Sequence, residues 1–318
     1  MTQKAPGRHY RDGISLLELA DMFPDENAAR EWFECILWPN DERPCARCGS
    51  VNTHEANHKT MPYRCRDCKK YFSVKTGTVM EGSPLPLRKW VYAIYLDVTS
   101  LKGVSSMKLH RDLKITQKAA WHMQQRIREA FSKGPITPFA GPVEVDETYI
   151  GGKRKNMPKS RRNLLTGRGA VGKTAVAGIR DRNTGHVVAS VVASVVERTD
   201  GSTLRGFIHE RTQRGATIYT DDARAYQGLP NHQAVKHSVG EYVNGQAHTN
   251  GLESFWATLK RGYHGTFHHF SAKHVQRYVN EFAGRHNIRD RDTVEQMAII
   301  SRGMVGKRLR YRELISNG

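Results

Sequence analysis

Between Ser15 and Trp38 the apolar residues Leu16, Leu17, Leu19, Met22 and Phe23, then Trp32, Phe33, Ile36 and Leu37, recur at helical spacing, with Pro24 between the two sets. The pattern predicts two short helices. It then changes: PCARCGS and YRCRDCKKYFSVKTGTVM interleave cysteine pairs with Tyr63, Tyr71, Phe72 and Val74, residue types that favour strands. From Lys89 to Ser132 helical periodicity returns, interrupted by turns at LKGVSS and LKIT. Ser105 or Ser106 is placed to cap one helix and Thr116 the next, so SSMKLHRDL and TQKAAWHMQQRIREAF predict a helix-turn-helix.

GPITPFAGP reads as a linker, and strand patterns follow it in VEVDETYIGG, TAVAGIRDR and GHVVASVVASV. A helix in GSTLRGFIHERT, the strand ATIYT ending at Asp221, a strand near Ala234 to Val239 and a helix in NGLESFWATLKR complete the pattern. Three strands, a helix, a strand and more helices suit an α/β domain of ribonuclease-H type. The expected fold is α+β multidomain, with the ribbon and helix-turn-helix ahead of that α/β domain. The boundaries are N-terminal helices at 1–40, the cysteine-rich segment at 41–82, a helical region at 83–134, the α/β domain at 141–290 and a C-terminal basic tail or helix at 291–318.

Composition narrows the partners. With 318 residues and 38% hydrophobic content the chain can bury a real core, and 50 Lys and Arg against 31 Asp and Glu give a formal charge of +19, which attracts polyanions. Nucleic acid is the expected partner, since no apolar run approaches the roughly 20 residues that span a bilayer and the polar N-terminus does not look like a signal peptide. A soluble, cytoplasmic, nucleoid-associated protein is expected. Cys35 sits among apolar neighbours in REWFECILW and reads as a buried, inert thiol.

The other four cysteines, Cys45/Cys48 and Cys65/Cys68, form two CxxC pairs. Each tight knuckle turns two thiolates toward one ion, and two knuckles supply the tetrahedron that structural Zn²⁺ requires. His54 and His58 lie between the pairs and read as solvated, because four sulfurs already complete the site. The second helix of the helix-turn-helix carries Lys118, Trp121, His122, Gln124, Gln125, Arg126 and Arg128, types that contact phosphates and base edges. From Gly151 to Lys173 a loop bears Lys153, Arg154, Lys155, Lys159, Arg161, Arg162, Arg168 and Lys173 with no acid, which suits the DNA backbone. Within it GRGAVGKT fits the phosphate-loop pattern GxxxxGK[ST]. A phosphate loop needs a strand before it and a helix after it, whereas a hairpin pattern follows here, so nucleotide triphosphatase activity is rejected.

Three acids stand out. Asp146 interrupts an apolar strand, Asp221 ends another, and Glu253 lies near the start of a helix that Asn250 or Thr249 could cap. Hard carboxylate ligands suit two Mg²⁺ or Mn²⁺ ions, which promote in-line displacement at phosphorus. Strand alternation puts Glu144 on the face of Asp146 and Glu147 on the opposite one. Lys260 follows Glu253 by seven residues and returns to nearly the same helix face. His237, His248, His264, His268 and His269 near this motif read as structural or solvated.

The CxxC pairs followed by YFSVKTGTVMEGSPLPLRKW, then VEVDETYIGGK, TGRGAVGKT, IYTDDARAY, HTNGLESFWATLKRGYHGTFHH and YVNEFAGRHN, resemble the ISXO2-like bacterial insertion-sequence transposases with an N-terminal zinc ribbon, relatives of the eukaryotic Merlin elements. The resemblance covers about Glu18 to Asn287. It implies a DDE-type domain with a ribonuclease-H-like fold, the acids on Asp146, Asp221 and Glu253, and the motif lysine on Lys260. It also implies binding to terminal inverted repeats and target DNA, cleavage followed by joining of 3′-hydroxyl ends, and a homodimer or larger assembly on DNA. A non-catalytic zinc-ribbon regulator with a degenerate nuclease domain is the alternative.

Overall fold

The computed structural model describes residues 13–40, 42–132, 137–152, 154–163, 170–194, 201–221, 223–235 and 249–316. The chain divides into two compact units, one of Met1–Ser100, Val104–Ser132 and Arg289–Gly318, the other of Leu101–Gly103 and Lys133–Ile288.

In the first unit, α1 (Leu16–Met22) and α2 (Glu26–Leu37) flank Pro24 as the periodicity requires. Ser15 and Asp25 cap them, accepting from the backbone N–H groups of Glu18 and Ala28. Short strands β1 (Thr53–Glu55), β2 (Tyr63–Cys65) and β3 (Tyr71–Phe72) form an antiparallel sheet. Tyr63, Phe72 and Trp38 pack beside the cysteines, and the Tyr63 hydroxyl donates to Glu34 at 2.6 Å, which ties the small sheet to α2. Helices α3 (Leu87–Thr99), α4 (Ser106–Leu113) and α5 (Gln117–Ala130) follow. Ser105 and Thr116 cap α4 and α5 through the N–H groups of Lys108 and Ala119, as the sequence predicts.

The second unit is built on a five-stranded sheet. β4 (Val143–Ile150) lies at its centre, antiparallel to β5 (Thr174–Asp181), which pairs antiparallel with β6 (Val187–Ser194). A five-residue helix, α6 (Lys159–Asn163), falls between β4 and β5. After α7 (Gly201–His209), β7 (Ile218–Asp221) joins the other side of β4 in parallel, and β8 (His232–Val235) pairs parallel with β7, so the order is β6-β5-β4-β7-β8. One face carries Val143, Val145, Ala177 and Ile179 against Leu204, Phe207 and Ile208 of α7. The other carries Ile150, Val176, Val187 and Ala189 against α8 (Asn250–Gly262) and α9 (Val275–Asn287). A five-residue π-helical turn, Tyr263–Phe267, and a 3₁₀ turn, Ala272–His274, connect these two helices.

Strand β6 is a sheet edge, and α9 covers its polar backbone. Asn287 accepts the Val187 N–H at 2.7 Å and donates to the Val187 carbonyl at 2.9 Å, and Gln276 accepts the Val191 N–H at 2.6 Å. The ladder groups left open on β6 are thus paired within the unit.

The C-terminal segment, expected as a basic tail or helix, folds into α10 (Thr293–Gly303) and α11 (Tyr311–Ile315) within the first unit. α10 packs on α2, α3 and α5. Lys307 donates to the carbonyls of Glu129, Ala130 and Ser132 at 2.9, 3.2 and 2.7 Å, filling the unpaired acceptors at the C-terminus of α5.

Glycine at 178 sets the distance between α8 and the sheet. A Cβ there would stand 2.6 Å from Cζ2 of the buried Trp256 and 3.1 Å from Leu252 Cδ1. Gly178→Ala is expected to cost about 1–3 kcal/mol through this overpacking, read from chemical denaturation of the full chain.

Candidate functional site

In the first unit the four cysteine sulfurs lie within 4.8 Å of one another, with Cys45 and Cys68 Sγ 3.6 Å apart and Cys48 and Cys65 Sγ 3.7 Å apart. A tetrahedron with metal–sulfur bonds of about 2.3 Å has edges of about 3.8 Å, so the cluster has the dimensions of a Zn²⁺ site. The Cys68 N–H donates to Cys65 Sγ at 3.5 Å and heads the influences that draw the Cys65 thiol down to about 7, while burial and the neighbouring sulfurs push the Cys48 thiol up to about 12. Four thiolate ligands leave no open position, so the chemistry is structural. Cys35 corrects the sequence expectation: its thiol is exposed on α2, because Phe33 and Ile36 take the buried helical phase.

In the second unit the candidate acids lie midway along β4, at the end of β7 and in the first turn of α8. Asp146 pairs across β5 with Gly178, and the parallel register Glu144↔Tyr219, carried two residues further, sets Asp221 beside Asp146. Glu253 projects from the first turn of α8, where the Thr249 hydroxyl donates to it at 3.2 Å. Burial, then the charges of Glu147, Asp221 and, more weakly, Glu253, push the Asp146 carboxyl up to about 7 against the pull of a 2.9 Å hydrogen bond from the Glu147 N–H. The charges of Asp221 and Glu253 are thus both felt at Asp146. Glu147 is engaged on the opposite strand face by the buried Tyr226 hydroxyl, which leaves Asp146 as the strand acid turned toward α8.

This concentration of negative charge fits a divalent cation, which would relieve the repulsion that raises Asp146. Among the described residues the cysteines alone gather three or more ligand atoms as closely as 4.8 Å. Lys260 lies exposed on α8, about 10 Å along the axis from Glu253, on the same outward stripe.

Glu144 was passed over in the sequence except as a neighbour. It is 0% exposed, accepts Arg180 Nη1 and Arg182 Nε at 3.1 Å each on Oε1, and accepts the Leu252 N–H at 2.9 Å on Oε2. It thus replaces the expected side-chain cap of α8. Thr249 occupies the cap position without a side-chain cap bond, and Asn250 is already the first helical residue. A buried carboxylate in a strand beside two arginines was the available signal.

The basic loop is described in part. Arg154 to Asn156 form a 3₁₀ turn, Arg154 Nη2 donates to the Arg162 carbonyl at 3.3 Å, and Lys155 and Lys159 are exposed. Lys153, Arg168 and the Arg161 side chain lie outside the described residues, as do His237 and His248. The phosphate-loop lookalike runs into β5 at Thr174, with no helix after it, so the triphosphatase reading fails structurally.

On α5, Lys118 is exposed with Nζ 4.4 Å from the Tyr311 ring centroid. Arg126 corrects the expectation of a DNA contact: it is 8% exposed and donates to the Leu309 carbonyl at 3.0 Å. Gln124, Gln125 and Arg128 are buried too. His264, His268 and His269 are exposed after α8.

Residues 138–287 match the ISXO2-like transposase domain. A protein of the transposable element ISH50 from Halobacterium salinarum, described as uncharacterized, is 32% identical over 281 residues, covering 84% of this chain and 92% of its own length. The chain belongs to the insertion-sequence transposases of the ISXO2-like family, whose spread therefore includes an archaeal relative as well as the bacterial members the motifs suggested. No solved structure matches it. No helix among the described residues is long and apolar enough to cross a membrane.

Two outcomes are expected. The full chain carries stoichiometric zinc that Cys65→Ser loses, measured by metal analysis, with a loss of folded ribbon signal in circular dichroism. For Asp146, a folded pKa raised above the ordinary carboxylate range means stability that is full below that range and is lost as pH rises through about 7. Metal-free Asp146→Asn should therefore melt several degrees above the wild type at pH 8, and the gap should narrow at pH 5.

Proposed function

We propose that the chain is a DNA transposase whose second unit cleaves a phosphodiester and joins the resulting 3′-hydroxyl to target DNA. What supports this reading is that the Asp146 carboxyl, raised to about 7, feels the charges of both Asp221 and Glu253, while the parallel pairing of β4 with β7 runs toward Asp221. The order β6-β5-β4-β7-β8, with β4 central, its β5 neighbour antiparallel and its β7 neighbour parallel, supports a ribonuclease-H-like domain.

In this reading Asp146, Asp221 and Glu253 would together hold a pair of Mg²⁺ or Mn²⁺ ions. Bound there, the ions would activate the attacking oxygen and stabilise the leaving one. Trp256 and Leu252, seated over Gly178, keep the floor of the site apolar and hold α8 in place. Lys260 binds a phosphate further along the same helix stripe. Lys155 and Lys159, with Arg154, Arg162, Lys153 and Arg161 of the same loop, contact the DNA backbone, and Lys118 does so from the first unit. Zinc holds the ribbon of that unit, which takes part in recognising the element ends. Two ends require two copies, so the working form on DNA is a dimer or larger.

Incubation of the full chain with Mg²⁺ or Mn²⁺ and a duplex carrying its element's end should give nicked and joined products. Asp146→Asn should bind the same duplex with unchanged affinity and cut it at background level. Metal-dependent cutting by that variant at the wild-type rate would remove the assignment.

A further inference from the structure

Asp146 and Glu253, which the proposed function brings to one metal site, come from elements far apart in the chain, the strand β4 and the helix α8. A helix packed on a sheet by apolar contacts alone can slide and rotate by fractions of an ångström, because such contacts are not directional. Glu144 supplies the direction. It stands two residues before Asp146 on the same face of β4, and its Oε2 accepts the N–H of Leu252, the residue before Glu253. The third N–H of α8 has no local side-chain acceptor, since Thr249 makes no cap bond, so the helix N-terminus is capped from the strand that bears the first acid.

The Glu144 carboxylate is fixed in turn. Arg180 and Arg182, neighbours on one face of β5 and its extension, both hold Oε1 at 3.1 Å, and this leaves Oε2 for the helix. Arg182 is stacked 3.9 Å from the centroid of Tyr219 on β7, and Arg180 lies where a Cβ on Gly251 would stand 2.4 Å from Nη1. Gly251 therefore lets the guanidinium pass under the first turn of α8. Strands β5, β4 and β7 and helix α8 meet at one carboxylate, which is fully buried yet paired with two cations and a backbone donor.

We propose that Glu144 is a positioning residue that locks the start of α8 to β4 and so sets the separation of Glu253 from Asp146. This rests on the two-metal reading of those acids. Groups that orient metal ligands typically change metal affinity or activity by about 10–100-fold when altered.

The test uses the full chain in three forms, wild type, Glu144→Gln and Glu144→Asp, with Asp146→Asn as a reference. Glu144→Asp keeps the charge for the arginines but withdraws the acceptor from Leu252 by about one carbon–carbon bond, so it serves if the Gln variant does not fold. In metal-free protein, backbone hydrogen exchange should accelerate at Leu252 and Glu253 in both variants while β4 and β5 keep their protection. Mn²⁺ titration followed by electron paramagnetic resonance should show affinity lowered about 10–100-fold, and cleavage should recover in part at high Mn²⁺. A folded variant with wild-type exchange at the start of α8 and wild-type Mn²⁺ affinity would overturn the proposal. Exchange quickened without any change in Mn²⁺ affinity would also overturn it, because α8 would then be free to move with no consequence for the site. If the failure lies in the metal reading instead, Asp146→Asn reveals it separately by retaining metal-dependent cutting.

Discussion

Like charges resist being brought together, and the second unit is organised around bringing four of them together. Asp146 and Glu147 lie midway along β4, Asp221 ends β7 and Glu253 is in the first turn of α8, with Asp146 largely buried and its carboxyl raised accordingly. Such a cluster persists only on a scaffold that cannot relax away from it. β4 is hydrogen-bonded on both sides, α7 and the α8/α9 pair fill the two faces, and Gly178 lets the Trp256 ring lie almost on the sheet.

Much of the architecture was legible in the residues because its causes are local. Helix and strand periods located the elements, and Ser105 and Thr116 capped the helices they precede, since a cap and its N–H partner are three residues apart. Strand alternation separated Asp146 from Glu147 for the same reason. The α8 cap was misread because its acceptor lies 108 residues away in the sequence. Arg126 was misread because the carbonyl that takes its proton belongs to a segment 183 residues on. Polar residues on a helix look solvent-facing until the segment that covers them is known. Cys35 is different. Its apolar neighbours suggested burial, but the helical phase of Ala29, Phe33 and Ile36 already pointed it outward.

The cysteine knuckles and the acids are two chemically different ligand sets in one chain. The four soft sulfurs gather at close to tetrahedral edge lengths, whereas carboxylate oxygens are hard donors with other preferences. The difference between the two sets is readable from residue type alone.

The first unit is assembled from segments on either side of the second, since α10 packs on α2, α3 and α5, and Lys307 closes the end of α5. During synthesis the ribosome completes residues 133–288 before it makes α10. The first unit therefore cannot close until its last segment has been made. A translation product stopped after α9 would keep all of residues 133–288 and yet leave the first unit without one of its walls, so premature termination would strike one unit and spare the other.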